Sequence, residues 1–579
     1  MPARGATAGL PDAARPSAGS PGNGAGLAAV KAPMRCLVPR LEAASDDSGT
    51  VTFVGAAGDG AMVRWTELFE DAQGVAAAMQ ARGVGPGDHI AILGPTNRDV
   101  VTAIEATWLA GATVVCLPLP LRLGSLEEFV AQTRTRIRNA EAALVLVDPA
   151  LAAFVTSGAG DPPTVSLDEL RGHARHWERP PDDPDLIGIL QFTSGSTDDP
   201  KGVMLPHRCL VENIDAIVEA AGIGPEDVGV SWLPLYHDMG LIGMLMTPML
   251  TGFDLALAAP QDFLAVPGDW MRWISEFGAT MTCGPNFSYA LAARAMRRAS
   301  GLDLSRWRLA LNGAEPIDPS AVEAFCQAGA AHGLSEKSPF CVYGMAEATL
   351  AISFPEPSTG MAVDVVDRHT LEHERRAVPA NGSAARRLAM LGRPLRGFEI
   401  RVCDPADGTM LDDREVGELE LRGGSITPGY FRRPDLTAAT FHEGWLRTGD
   451  LGYCVDGEVV VCGRIKDVIN IGGRNVYPEE IERAAASVEG VRTGNVVAFG
   501  IEGRRGKEAI VVVAETRVDA PDQLRDEVVD RVCDVVGIPP LEVRFVAPGS
   551  LPKTSSGKLQ RSLCRTRYLT ESVGAYADR

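Results

Sequence analysis

Residues 190–207 read LQFTSGSTDDPKGVMLPH, and the rest of the chain is read outward from them. The apolar run from Ile187 to Phe192 predicts a buried strand. It empties into Thr193-Ser194-Gly195-Ser196-Thr197, small hydroxyl residues around one glycine. By composition alone this is a Ser/Gly surface turn. Glycine, however, permits close backbone approach, and successive backbone N–H groups in such a loop form an anion-binding nest. The hydroxyls add donors, Lys201 adds a mobile positive charge, and Pro200 stiffens the loop before it. That combination suits a polyphosphate. The other common phosphate loop, G-x-x-x-x-G-K-S/T, is absent.

The loop does not stand alone. It is followed in order by YGMAEATL (343–350), GWLRTGDLG (444–452), GRIKDVINIGGRNVYPEEIE (463–482) and PKTSSGKLQR (552–561). Together these resemble the acyl-adenylate-forming enzymes: acyl-CoA synthetases, peptide-synthetase adenylation domains and luciferases. The resemblance covers about residues 35–570. The wording WLPLYHDMGLIG (232–243) and a long connection between Glu347 and Gly392 resemble one branch in particular, the fatty acyl-AMP ligases. In the loop itself the chain departs from the family, with Asp198 where glycine is usual. A carboxylate beside a triphosphate is repulsive unless it points outward or helps hold Mg²⁺.

The resemblance implies roles for individual residues. Thr193, Ser194, Gly195, Ser196, Thr197 and Lys201 would grip the ATP phosphates. His237, otherwise readable as a hydrogen-bonded core histidine, would lie where carboxylate and ATP meet. Gly313, Ala314 and Glu315 would run along the adenine, with Tyr343, Gly344 and Met345 beside the purine. Glu347, a hard oxygen ligand, would hold Mg²⁺. Asp450 would accept both ribose hydroxyls, with Arg464 as its companion. Met239, Gly240, Ile242 and Gly243 would line an acyl tunnel, glycine leaving width and methionine adapting its shape. Lys466 would be the hinge, and Lys558 would swing in to bridge the carboxylate and the α-phosphate.

The expected fold is α/β. A large N-terminal domain (35–465) is made of layered α/β subdomains, about 35–185 and 186–360, plus a small β-barrel-like subdomain, 361–465. A small mobile α/β lid (466–579) follows. Supporting signs are Leu68, Ala72, Val75 and Met79 at helical spacing between Thr66 and Arg82, and the strand-like runs His89–Leu93, Thr113–Leu117, Ala143–Val147, Trp307–Leu311, Glu399–Cys403, Val416–Leu421 and Glu458–Cys462. Residues 179–185 read as a linker. The polar connection between Glu347 and Gly392 reads as a loop. Its His369, Glu372 and His373 match a zinc pattern but lack a third ligand.

With 579 residues the chain is too long for one core, and its net charge of −20 argues against nucleic acid or an anionic membrane surface as a partner. Arg561, Arg565 and Arg567 form a candidate basic patch for an acidic carrier, or a solvated tail. Eleven scattered cysteines without a C-x-x-C pair suggest reduced thiols and a cytoplasmic location. No apolar run is long enough for a membrane span, and residues 1–34, rich in Ala, Gly, Pro and Ser, read as a disordered leader.

The implied reaction is ATP- and Mg²⁺-dependent adenylation of a fatty acid with release of pyrophosphate. The acyl group then passes to the phosphopantetheine arm of an acyl-carrier protein serving a polyketide or peptide synthase. Free coenzyme A is the alternative acceptor, because Gly472-Gly473-Arg474-Asn475 and Tyr477-Pro478-Glu479-Glu480 lean towards ordinary acyl-CoA synthetases. A non-catalytic nucleotide-binding relative is a further alternative, favoured by Asp198 alone.

Overall fold

Two mainly parallel sheets carry the first part of the chain. The computed structural model describes residues 34–45, 49–56, 60–119, 126–155, 160–172, 176–193, 200–382, 385–503, 508–518, 522–554 and 557–577. The expected leader (save Met34) and the loop residues Ser194, Gly195, Ser196, Thr197 and Asp198 lie outside them.

One sheet has six strands in the order Thr164–Ser166, Leu144–Val147, His89–Leu93, Thr113–Cys116, Ile187–Thr193, Lys201–Pro206. All neighbours are parallel except the last pair, which runs antiparallel with Thr193 opposite Lys201. Helices cover both faces of such a sheet, so its central strands read as unbroken apolar runs. The crossover helix Arg98–Leu109 is capped by Asn97, whose side chain accepts from the Val100 N–H at 3.0 Å. Trp108 is fully buried on it and donates its indole N–H to Gly188 O at 2.9 Å. The second sheet has seven strands: Pro339–Cys341, Leu309–Asn312, Met281–Gly284, Val228–Ser231, Asp254–Ala258, Thr50–Val54, Met62–Arg64. It too is parallel except for the last pair. The strand expected over Trp307–Leu311 begins at Leu309. Trp307 instead turns its indole N–H back onto Leu309 O at 3.0 Å.

The Arg98–Leu109 helix carries one misfit. Glu105 is buried, its Oε2 has no hydrogen-bond partner, and burial together with the Asp71 charge pushes its carboxyl from the ordinary 4.5 up to about 8. A carboxyl held protonated in the folded state drains stability once pH exceeds its unfolded value. The drain grows until pH reaches the folded one. Glu105→Met is therefore expected to raise the unfolding temperature by a few degrees at pH 8 and hardly at all at pH 4.5. An equal shift at both pH values in thermal scans would count against this account.

Beyond Glu347 the chain builds antiparallel structure. The strands Phe398–Cys403, Gly417–Gly423, Trp445–Val455, Phe441–His442 and Glu458–Arg464 form one sheet. Trp445–Val455, eleven residues long, was not expected from the sequence. The connection expected to be a loop carries secondary structure in its described residues. Val363–Asp367 pairs antiparallel with Ala385–Ala389, and the short helix Arg368–His373 follows the first of them. Glu372 and Arg386 of this connection are turned inward onto ion pairs, while His369 and His373 stay exposed. Glu372 accepts from Arg474 Nε at 2.5 Å, and the His369 and His373 rings stack with centroids 4.2 Å apart.

After Lys466, the strands Val491–Glu502, Glu508–Thr516 and Glu542–Val546 pack with the helices Pro478–Ala486, Asp522–Val536 and Arg561–Ala577. This region has apolar clusters of its own, around Ile481, Val512 and Val528 and around Phe499, Leu551 and Tyr568. The architecture is thus a large mixed α/β body followed by a small α/β unit. No helix among the described residues is long and apolar enough to cross a membrane, and all eleven cysteines are free thiols.

Candidate active site

One cleft of roughly 2660 Å³ gathers most of the residues singled out by the sequence. Thr193 and Lys201 border it from the six-stranded sheet. His237, Met239, Gly243, Ala314 and Glu315 border it from segments that follow strands of the seven-stranded sheet. Tyr343, Gly344, Met345, Glu347, Asp450, Arg464 and Lys466 form another wall, and Lys558 completes it from the small C-terminal unit. Gly240, Ile242 and Gly313 do not border it.

Asp450 and Arg464 stand opposite each other on adjacent antiparallel strands. Arg464 Nε donates to Asp450 Oδ1 at 2.7 Å, and the Tyr343 hydroxyl donates to Oδ2 at 2.7 Å. Burial and then the Asp450 charge push the Tyr343 phenol well above its usual range, so it stays a donor. An ionised carboxylate has about four acceptor sites. Asp450, held on both oxygens, therefore keeps lone pairs for two further hydroxyls. Gly344 is required here, because a Cβ on it would lie 2.0 Å from Leu350 O.

Glu347 lies in the one-turn helix Ala346–Ala348. Its Oε1 accepts from the Tyr430 hydroxyl at 2.8 Å, and Lys201 Nζ sits 5.4 Å from the Tyr430 ring centroid. Tyr430 thus links the carboxylate to the cation at the root of the phosphate loop. Sequence reading missed it. Its only local sign is the turn Thr427-Pro428-Gly429-Tyr430, which binds the backbone of Glu347 and of Met204, the latter on the strand that begins at Lys201. Thr427 N–H donates to Glu347 O at 2.9 Å, and Thr427 Oγ1 donates to Met204 O at 2.6 Å.

His237 Nδ1 lies 2.6 Å from Asp238 Oδ1. Burial pushes Asp238 upward, but His237, Lys558 and the Met239 N–H outweigh it and hold the carboxyl below its ordinary value. The chain then enters a π-helical stretch, Met239–Met246. Of the four expected tunnel residues, Met239 and Gly243 face the cleft. Ile242 points into the core, and Gly240 packs so closely on Pro234 that a Cβ would sit 2.2 Å from its carbonyl oxygen. The same cleft has an apolar wall that includes Met281, Phe287, Leu291, Leu311 and Ile317. Cys283 borders it too, but burial pushes its thiol up to about 12, too high to serve as a nucleophile near neutral pH.

Lys558 enters this field from the far side. Desolvation holds its ammonium below the ordinary lysine value, while Asp238, Glu315 and Asp450 act in the opposite sense. Glu315 is itself raised by burial, and it accepts from the Phe287 N–H at 2.7 Å. Lys466 is also held low, first by burial and then by Arg464. Of the expected basic patch, Arg561 is not free. It is drawn into ion pairs with Asp467, Glu479 and Glu482, while Arg565 and Arg567 stay exposed.

Residues 41–431 match the model of the AMP-binding enzymes, and this chain belongs to that ATP-binding, adenylate-forming family. A putative acyl-CoA synthetase of Caulobacter vibrioides is 35% identical over 526 residues, covering 89% of this chain and 91% of its own. A medium-chain-fatty-acid–[acyl-carrier-protein] ligase of Moorena producens is 31% identical over 542 residues, covering 89% and 91%. A solved structure from work on the fatty acyl-adenylate ligases of E. coli and L. pneumophila superposes with a TM-score of 0.85 at 30% identity, covering 94% of this chain and 99% of that one.

Proposed function

We propose that the chain is a fatty acyl-AMP ligase. It joins a fatty acid to the α-phosphate of ATP, releases pyrophosphate, and hands the acyl group to the phosphopantetheine thiol of an acyl-carrier protein. The observation that carries the reading is Lys558, brought from the small unit to face Asp238, Glu315 and Asp450 in a cleft with one apolar wall.

A carboxylate oxygen attacks the α-phosphorus in line with the leaving pyrophosphate, so two anions must approach each other. Positive charge placed beforehand is the main requirement. Lys558 supplies it between carboxylate and phosphate, and Lys201 holds the leaving group. His237, fixed by Asp238, orients the acid. Asp450 and Arg464 hold the ribose, and Tyr343 lies against the purine. Glu347 fits Mg²⁺, because Tyr430 occupies only one of its oxygens and Mg²⁺ takes one or two carboxylates plus substrate phosphates. When bound there, the ion neutralises phosphate charge. The apolar wall receives the alkyl chain.

The carrier-protein acceptor rests on the inserted strand pair 363–389 and on the Moorena producens relative. The motif at 472–480 and the Caulobacter vibrioides relative favour coenzyme A as a second reading. Labelled fatty acids of graded length, incubated with ATP and either coenzyme A or a holo-carrier protein, separate the two. Pyrophosphate release with acyl-carrier formation is expected. Rapid acyl-CoA formation would replace the acceptor, and no pyrophosphate release with any acid would remove the ligase reading.

A further inference from the structure

The stretches 551–554 and 557–561, the second bearing Lys558, pair with each other and are held at both feet. Thr554 N–H donates to Lys558 O at 2.7 Å, and Lys558 N–H donates to Thr554 Oγ1 at 3.0 Å. Lys553 bridges Leu559, and Gln560 N–H donates to Pro552 O at 2.9 Å. At the first foot, Leu551 N–H donates to the buried Glu515, whose other oxygen pairs with Arg492. At the second foot stands Arg561. Its Nη1 donates to Asp467 Oδ2 at 2.8 Å, and its Nη2 donates to Glu482 Oε1 at 2.9 Å and Oε2 at 3.1 Å. Glu479 adds a longer contact at 3.4 Å. Glu482 is itself fixed, accepting from the Ala498 N–H at 2.9 Å.

Asp467 directly follows Lys466, the expected hinge, in the one-turn helix Ile465–Asp467. One guanidinium therefore ties the expected hinge, the Pro478–Ala486 helix and the foot of this paired stretch into a single piece. We infer that Arg561 is a positioning residue for Lys558: through Asp467 and Glu482 it transmits the setting of the hinge to the catalytic ammonium, so that the small unit delivers Lys558 at a fixed reach. The planar fork matters, because two carboxylates on different elements must be held at once and a lysine meets only one of them at a fixed angle. Only Leu559 and Gln560 separate Arg561 from Lys558, so slack at this foot moves the ammonium directly. A displacement of about 1 Å at a reacting centre can cost about 100-fold in rate.

The inference rests on the proposed role of Lys558, and the test keeps the two apart. Single-turnover acyl-AMP formation is measured on the full chain with ATP and a fatty acid. Arg561→Met is expected to lower the rate constant by about 30- to 100-fold while the KM for ATP stays within about threefold, and Arg561→Lys is expected to restore part of the loss. In a Lys558→Ala background the same Arg561→Met change is expected to cost less than about twofold, since its effect passes through an ammonium no longer present. Asp467→Asn leaves Arg561 paired with Glu482 and guards against a folding failure; about a fivefold loss with an unchanged unfolding midpoint is expected. Full activity in both Arg561→Met and Asp467→Asn overturns the inference, as does an undiminished Arg561→Met effect without Lys558. Normal activity of Lys558→Ala alone would instead remove the role proposed for that lysine.

Discussion

Replacing Lys558 by alanine is expected to slow acyl-AMP formation by about 100- to 1000-fold while leaving ATP affinity within a few-fold of the parent. The asymmetry follows from where the charge is needed. In the proposed reading the nucleotide is held by groups of the large body that border the cleft, Lys201, Asp450 and Arg464 among them, and these are untouched by the substitution. The ammonium matters most when the acid oxygen and the α-phosphate close on each other, so its loss falls on the rate. Pyrophosphate release under saturating acid, together with equilibrium nucleotide binding, measures both quantities. Near-normal release would show that the approach of two anions is relieved by some other group.

The second large effect concerns stability. Glu480, on the Pro478–Ala486 helix, and Arg386, on the strand Ala385–Ala389, form a buried ion pair with Nε 3.2 Å from Oε1 and exposures of 4% and 2%. Arg386 also lies 4.1 Å from the Tyr477 ring centroid and donates to Cys462 O at 2.8 Å. Arg368 stands 3.7 Å from the second Glu480 oxygen. Removing one partner of such a pair strands the other charge, so Glu480→Ala is expected to cost about 3–5 kcal/mol in denaturant unfolding. Replacing both together, as Arg386→Met with Glu480→Leu, is expected to cost far less, because two desolvation penalties vanish with the attraction. Equal losses for the single and double variants would contradict that account. The pair joins the inserted strands to the small unit beyond Lys466. Any swing of that unit that separates them must break this pair and the Glu372–Arg474 pair as well.

The legible parts of the fold were those with local causes. Runs such as Ile90–Leu93 and Leu144–Val147 are apolar on both faces because helices cover both sides, and their neighbours in sequence already say so. The helix ending before Gly83 was visible from its spacing, and it spans Trp65–Gln80. The inserted segment was misread for the opposite reason. Arg368, Glu372 and Arg386 look like loop residues, and only Arg474 and Glu480, about 90 to 110 positions further on, make them interior. Arg561 was misread likewise as part of a surface patch, its carboxylates lying about 80 to 95 positions earlier. In the candidate site, Asp450 and Arg464 could be named from their motifs, but their pairing across two strands could not. Tyr430 carried no signal beyond an ordinary Pro-Gly turn, and its role exists only where Lys201 and Glu347 converge.

The helix from Met239 to Met246 is wound with five-residue spacing, and Thr247 donates both its N–H and its hydroxyl to Ile242 O. Such winding is rarer and weaker than the ordinary kind, and it amounts to one residue more than the same span would otherwise need. Deleting a single residue there would let the coil relax. The residues within the wide turn, Gly243 among them, would then change position against the cleft, while the flanking turns kept their phase. Gly243 would leave the cleft and a bulkier neighbour would take its place, narrowing the bore while the rest of the catalytic machinery stayed put. On the proposed reading, the calibre available to an alkyl tail is therefore set as much by a surplus residue in the backbone as by the size of any side chain.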